Sequence, residues 1–409
     1  VTRVALHDFG GFPFSIQLGR TLAARGHEVA YLHPVGFRSP RGNVSRQLDG
    51  DPRFTFEPLD LHEPSQQHGL VNRYLQDRRY GDLLAERIGA IRPEVVISAN
   101  APIPAQQDAV DAAHRAGAGF VFWVQDLVSV AVRQILGRRV PLAGRAVGSW
   151  IMRAEKRVLL SSDAVVAISP DFVPTLREWG IPSERVSVIE NWAPLDEIQP
   201  MSRINAWAVD NRLPTGARFL YAGTLGRKHD PSILVSLAES IPEAAVVVVT
   251  EGPRAQQLRE QAAGHPNLLV LPTQPADRIS EVLGSSDVLV ALLEADAGSF
   301  SVPSKVQSYL AAGRAILASI PGDNPATQAI VRAGAGRVVE PGDRAGFLAA
   351  ARDLIADPEA RAEAGRAARR YATQQFDIQL IADEFERVIA GCAPVSPESA
   401  RGTMSRTST

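Results

Sequence analysis

The chain of 409 residues holds one cysteine, three methionines and only 6% aromatic residues. A single thiol, Cys392, excludes an internal disulfide and a cysteine-rich metal site, and it fits a reducing compartment. An excess of either charge is missing too. The 43 basic and 45 acidic residues leave a formal net charge of −2, which removes the broad basic surface that nucleic-acid binding needs. No run reaches 18 uninterrupted apolar residues, and the opening VTRVALHDF lacks the basic stretch and apolar run of a leader peptide. The expectation is a cytoplasmic protein whose contact with a membrane, if any, is peripheral and at its inner face. The eight histidines show no metal-ligand spacing, and no DxD-like carboxylate pair closes a strand, so neither a metal nor a resident cofactor is expected. His7 and His229 read as loop residues.

What the chain does have is two series of short β-branched runs alternating with helical patterns. The first comprises RVALHDF, EVAYLH, FTFEPL, VVISAN, FVFWVQD, AVVAIS and VSVIEN, between residues 3 and 191. The second comprises FLYAG, AAVVVVT, NLLVLPT, DVLVALLE, AILASI and GRVVE, between 219 and 340. Near-continuous apolar strands separated by helices predict parallel sheets buried on both faces, here two doubly wound α/β domains. The expected division is 1–197 and 198–365, then helices over 366–392 packing back on the first domain, and a disordered polar tail over 393–409. Ligands of such sheets bind beyond the carboxyl ends of the strands, so the loops there carry the candidate chemistry.

In GSFSVPSKVQSYLAAG, residues 298–313, Lys305 stands in the first turn of a predicted helix. A cation at a helix N-terminus costs a few tenths of a kcal/mol unless an anion is near. Either the lysine points into water or the segment, with Ser301, Val302 and Ser304, receives an anion. The loop YAGTLGRKHDP sets Gly223, Thr224, Arg227 and Lys228 ahead of another helix, a plausible phosphate cradle or else a solvated basic turn. TEGP places Glu251 and Gly252 after the next strand, where they serve a nucleotide or simply turn the chain into a helix. In HDFGGF, Gly10 and Gly11 make a tight turn or give a ligand close backbone access. WVQDL ends a strand with Asp126, which acts on an acceptor hydroxyl or caps a helix.

Together these stretches resemble the retaining GT-B glycosyltransferases of family 4, and SVPSK with ENWAP most resembles the branch that builds bacterial surface polysaccharides. The resemblance implies two Rossmann-like domains facing each other across a cleft, with a nucleoside-diphosphate sugar as co-substrate and a glycan or lipid-linked acceptor. Carried over residue by residue, Lys228 matches the basic residue at the donor diphosphate, and Ser304 and Lys305 match the PSK of the branch. Thr224 stands where many members have an arginine, and Phe300 and Ser308 where they have two glutamates. The catalytic assignments are therefore Asp126, Lys228 and Lys305. Gly10, Gly11, Gly223, Thr224, Arg227, Glu251, Gly252, Ser301, Val302 and Ser304 are assigned to the donor. A nucleotide-sugar epimerase and a non-catalytic sugar-nucleotide-binding subunit are the rival readings. Finally, residues 133–157 contain six arginines, one lysine and one acid interleaved with apolar side chains and Trp150. Such a segment fits an anionic membrane surface or a solvated helix packed on its own domain.

Overall fold

The computed structural model describes residues 1–35, 51–61, 70–130, 132–133, 141–225, 231–295 and 303–393. The chain divides into two compact units, Val1–Glu190 together with the helix Ile378–Cys392, and Asn191–Asp377. In the first unit seven parallel strands run β1 (Arg3–Asp8), β2 (Glu28–Pro34), β3 (Phe54–Leu59), β4 (Val95–Ala99), β5 (Gly119–Val124), β6 (Ala164–Ala167) and β7 (Val186–Val188). They lie in the order β3-β2-β1-β4-β5-β6-β7. The second unit has six, β8 (Arg218–Ala222), β9 (Ala245–Val249), β10 (Leu268–Leu271), β11 (Val288–Leu292), β12 (Ala315–Ser319) and β13 (Gly336–Val339), in the order β10-β9-β8-β11-β12-β13. Every strand run read from the sequence forms a strand.

The central strands are covered on both faces, which is why their sequences do not alternate. Val4, Ala5 and Leu6 of β1 are fully buried, and so are Val95, Val96 and Ile97 of β4, which pair with β1 in register from Val4↔Val95. Each such Val, Ile or Leu contributes about 1.5–3 kcal/mol of hydrophobic stabilisation. Helix Pro13–Ala24 opens with proline in its first turn and buries Phe14, Leu18 and Leu22 at the spacing the sequence shows. Its Gly19 passes so close to Phe54 that a Cβ would stand 2.6 Å from that ring.

Two boundaries differ from those expected. The first unit ends at 190 rather than 197, because the following segment is tied to the second unit. The Gln199 N–H donates to Ser280 Oγ at 3.0 Å, and that hydroxyl donates to the Glu197 carbonyl at 2.9 Å. The return to the first unit comes at 378 rather than 366. Helix Pro358–Gln375 belongs to the second unit, where Gly365 lies against the Gly313 carbonyl and Arg369 donates to the carbonyls of Ala311 (2.6 Å) and Ile198 (3.0 Å). Helix Ile378–Cys392 alone packs on the first unit, with Phe385 edge-on to Trp123 at 4.9 Å and Asp383 and Glu386 accepting from Arg25. The tail from 394 lies outside the described residues.

In both sheets the strand order reverses beside the first strand, between β1 and β4 and between β8 and β11. At such switch points the flanking loops part and leave a crevice at the carboxyl edge. The loop after β1 contains Gly10 and Gly11, and Asn100 follows β4; the loop after β8 contains Gly223, and the chain after β11 leads to Lys305.

Candidate active site

Lys305 opens helix Lys305–Ala312, and its ammonium does not point freely into water. Nζ donates to Tyr221 Oη at 2.6 Å and lies 3.9 Å from the centroid of the same ring. Tyr221 in turn donates to the Thr224 carbonyl at 3.0 Å. Burial pushes the Tyr221 phenol well above its ordinary range, so it stays a neutral donor, and the same desolvation lowers Lys305 to about 7. Tyr309 completes the attachment from one turn further along the helix, its hydroxyl lying 3.1 Å from the Ala222 N–H that it accepts and 3.3 Å from the Ala222 carbonyl. Two tyrosines thus bind this helix to the end of β8. Neither stands out in the sequence, because a tyrosine ending an apolar strand or inside a helix reads as core.

Gly223 has φ +125, and a Cβ there would stand 3.6 Å from Lys305 Nζ. The two sequence-assigned residues are therefore brought together at the switch point of the second sheet. Gly252 has φ +100 and precedes helix Pro253–Ala262, with Glu251 beside it and exposed. Just before them Thr250 is fully buried, and its hydroxyl has no hydrogen-bond partner among the described residues. Thr224 and Ser304 are exposed. Arg227, Lys228, Ser301 and Val302 lie outside the described residues, as do His229 and Phe300.

In the first unit, Asp126 stands two residues beyond β5 and is exposed, while Gln125 is buried. The helix that begins at Val128 is capped from elsewhere. Glu155, the one acid of the 133–157 segment, is buried and accepts from the N–H groups of Val128 (2.9 Å) and Ser129 (3.0 Å). Gly11 has φ +63, and a Cβ on Gly10 would run into the Phe12 ring. His7 corrects the sequence reading, since it is no loop residue. It is fully buried in β1, with Nδ1 2.8 Å from Ser98 Oγ and Nε2 2.9 Å from Tyr80 Oη, and burial, with His33 nearby, lowers it to about 3.

Two doubly wound units, with a lysine and a glycine meeting at the switch point of the second, define the two-domain GT-B class of α/β protein. The model of Glycosyltransferase Family 4 matches residues 14–197, and that of Glycosyl transferases group 1 matches 216–357. The chain resembles the family-4 glycosyltransferases over its first unit and the group-1 glycosyl transferases over its second. It is 26% identical over 208 residues to the putative colanic acid biosynthesis glycosyl transferase WcaI of Escherichia coli K12, a match covering 48% of this chain and 50% of that one. The chain thus spans about half the length of that relative. Among solved structures, sucrose-phosphate synthase from Thermosynechococcus elongatus superposes with a TM-score of 0.73 at 15% identity, covering 95% of this chain and 98% of that one. HepE of Anabaena in complex with UDP-glucose gives 0.70 at 14%, covering 95% and 100%. Among the described residues, no group of three or more His, Cys, Asp or Glu is placed to hold a metal ion.

Proposed function

We propose that the protein moves a sugar from a nucleoside-diphosphate sugar to a hydroxyl of a glycan or lipid-linked acceptor, with retention of configuration. The observation that carries this reading is Lys305, a cation held at the switch point of the second sheet whose described partners are a phenol and its ring rather than a carboxylate. A diphosphate supplies the missing counter-charge, and the cation then stabilises the leaving group as the glycosidic bond breaks. Lys228 and Arg227, with the N-terminal N–H groups of the flanking helices, share that load. Thr224, Glu251, Gly252, Ser301, Val302 and Ser304 surround the nucleotide and sugar. Asp126 acts on the acceptor side. The complex of HepE with UDP-glucose supports a nucleotide-sugar donor, and the similarity to WcaI, a putative colanic acid biosynthesis enzyme, supports a surface-polysaccharide product.

A lipid-linked acceptor requires an enzyme that meets a membrane surface, and one face of the first unit suits that task. On helix Pro141–Ser161, Val147, Trp150, Arg153, Arg157 and Leu160 fall on one exposed stripe, with Trp150 57% exposed. Tyr74, 44% exposed on helix Leu70–Ile91, lies 6.4 Å from the Trp150 ring, with Leu75 beside it. Burial of Glu155 leaves that stripe without an acid, the pattern of an interfacial helix on anionic lipid. No helix among the described residues is long and apolar enough to cross a membrane.

The decisive experiment follows nucleoside diphosphate release from a panel of nucleotide-sugars, with and without lipid-linked acceptors. Acceptor-dependent release is the expected result. Epimerised or free sugar without an acceptor favours the epimerase, and binding without turnover favours a non-catalytic subunit.

A further inference from the structure

Helix Pro141–Ser161 has two faces with different neighbours. Val147, Trp150, Arg153, Arg157 and Leu160 are exposed, whereas Gly148 and Glu155 are buried. Those two lie seven residues apart, close to two full turns, and so fall on one line of the helix. Each meets the segment that follows β5. The Glu155 carboxylate spans two successive amides, Oε1 accepting from the Val128 N–H at 2.9 Å and Oε2 from the Ser129 N–H at 3.0 Å. At Gly148 a Cβ would stand 3.2 Å from both Cα and Cβ of Arg133, a close approach that the missing side chain permits. The segment is thus tied to the helix at its start and again at Arg133, and Asp126 stands two residues before the first tie.

The first tie is finely balanced. Hydrogen bonds from N–H groups to a carboxylate are about twice as strong as those between neutral groups, and they favour it. Burial works against them, pushing the Glu155 carboxyl above its ordinary range, and no cation among the described residues pairs with it to offset that cost. A ligand shifts such a balance only by its differential affinity for the two states. Arg133 supplies the difference. It is exposed and lies beside Gly148, whose neighbour Val147 belongs to the outer stripe, so the tied segment sets one more cation at the edge of that stripe. We propose that an anionic lipid surface regulates the acceptor side through this helix, favouring the tied state of Val128, Ser129 and Arg133, and that Glu155 is the positioning residue that passes the preference to Asp126. The whole path lies within the first unit. This inference rests on the reading above, a transferase with a lipid-linked acceptor and Asp126 on its acceptor side.

The probe is a vesicle of equal parts phosphatidylglycerol and phosphatidylcholine, with pure phosphatidylcholine as the neutral counterpart. Amide hydrogen exchange reads residues 126–130 directly, and exchange in β1 reports on the fold as a whole. Glu155→Gln leaves one acceptor oxygen and turns a donor toward the other N–H. Gly148→Ala raises helix propensity yet sets a methyl group against the Arg133 backbone, so it loosens the second tie without weakening the helix. In the parent, the anionic vesicle should slow exchange at 126–130 by about fivefold or more, and the neutral vesicle should not. Both variants should lose that slowing and, by reciprocity, bind the anionic vesicle more weakly by the same factor. With anionic vesicles present, their kcat for transfer should fall about tenfold while the KM for donor stays within about twofold of the parent. Unslowed exchange in the parent, slowing retained in both variants, or parental kcat in both overturns the proposal. So does an equal loss of protection in β1, which reduces the effect to stability. A parent that releases nucleoside diphosphate from no donor strikes the transfer reading instead, and the exchange measurement, which needs no turnover, still decides the coupling.

Discussion

Replacing Lys305 by methionine should make the protein more stable and less able to bind its donor. The physical reason is the partial burial of an ammonium group with no carboxylate partner among the described residues. Desolvation takes Lys305 from its ordinary 10.5 to about 7, a displacement that corresponds to roughly 5 kcal/mol at most. The hydrogen bond to Tyr221 offsets about 1 kcal/mol of what the substitution relieves, and methionine keeps most of the packing of the alkyl stem. The expected gain is therefore about 2–4 kcal/mol near neutral pH and below. Its pH dependence has a definite sign. Between about 7 and 10.5 the unfolded chain holds a proton on this lysine that the folded chain has released, so parental stability rises with pH across that window. The advantage of Lys305→Met is greatest below about pH 7 and vanishes as pH passes about 10.5. Urea melts at steps from about pH 6 to about pH 10 measure it directly. The same variant should bind nucleoside diphosphate more weakly by about 1.5–3 kcal/mol, the worth of a charge-assisted contact. A destabilised variant at neutral pH, or a stability difference that does not change with pH, refutes the buried-cation reasoning. Unchanged nucleotide affinity refutes the assignment of Lys305 to the diphosphate.

Asp126→Asn should fold normally and bind donor normally, yet transfer sugar about a hundredfold more slowly, or roughly 2.7 kcal/mol; near-parental turnover would remove Asp126 from the acceptor side of the reaction. Trp150→Ser, and separately Arg153→Gln with Arg157→Gln, should each reduce sedimentation with phosphatidylglycerol vesicles while leaving nucleotide binding intact, and absence of vesicle binding by the parent would sink the membrane reading. His7 should remain neutral in the folded protein well below its ordinary 6.5, so acidification from 6.5 toward about 3 should cost stability as the unfolded chain alone takes up that proton. Histidine resonances followed by NMR through that range test this, and a His7 signal titrating near 6 would contradict it.

The strands are legible because a buried parallel strand leaves a continuous β-branched run, a signal that survives without knowledge of its neighbours. Their chain order then places the first loop of each domain at a carboxyl edge. Helices carry less address. The amphipathic face of Pro358–Gln375 announces that something covers it but not which sheet, and the boundary at 378 becomes visible only where Gly365 meets Gly313. Single polar residues divide in the same way. Lys305 stands out because a lysine breaks the charge preference of a helix start, whereas Asp8, ending an apolar strand in HDF, looks like the common polar residue that closes one. Glu155 reads in the sequence as one acid diluting a basic segment. Its meaning depends on Val128 and Ser129, more than 25 residues away, whose N–H groups it accepts.

Asp8 is fully buried and Lys305 partly buried, each at a switch point, and they differ in how they are satisfied. A buried carboxyl group accommodates four donors when the fold can aim them, and at Asp8 the fold supplies all four from one turn, one helix and one neighbouring strand end. Nothing remains there for a ligand to satisfy. An ammonium group donates three hydrogen bonds, and at Lys305 the described residues provide one acceptor, Tyr221 Oη, and one aromatic face. That shortfall would be removed by replacing the lysine or by an anion bringing acceptors and charge together. Of the two, only the anion makes the shortfall useful under the proposed transfer reading, because stabilisation that the lysine lacks would become affinity for a diphosphate that departs carrying more negative charge than it arrived with.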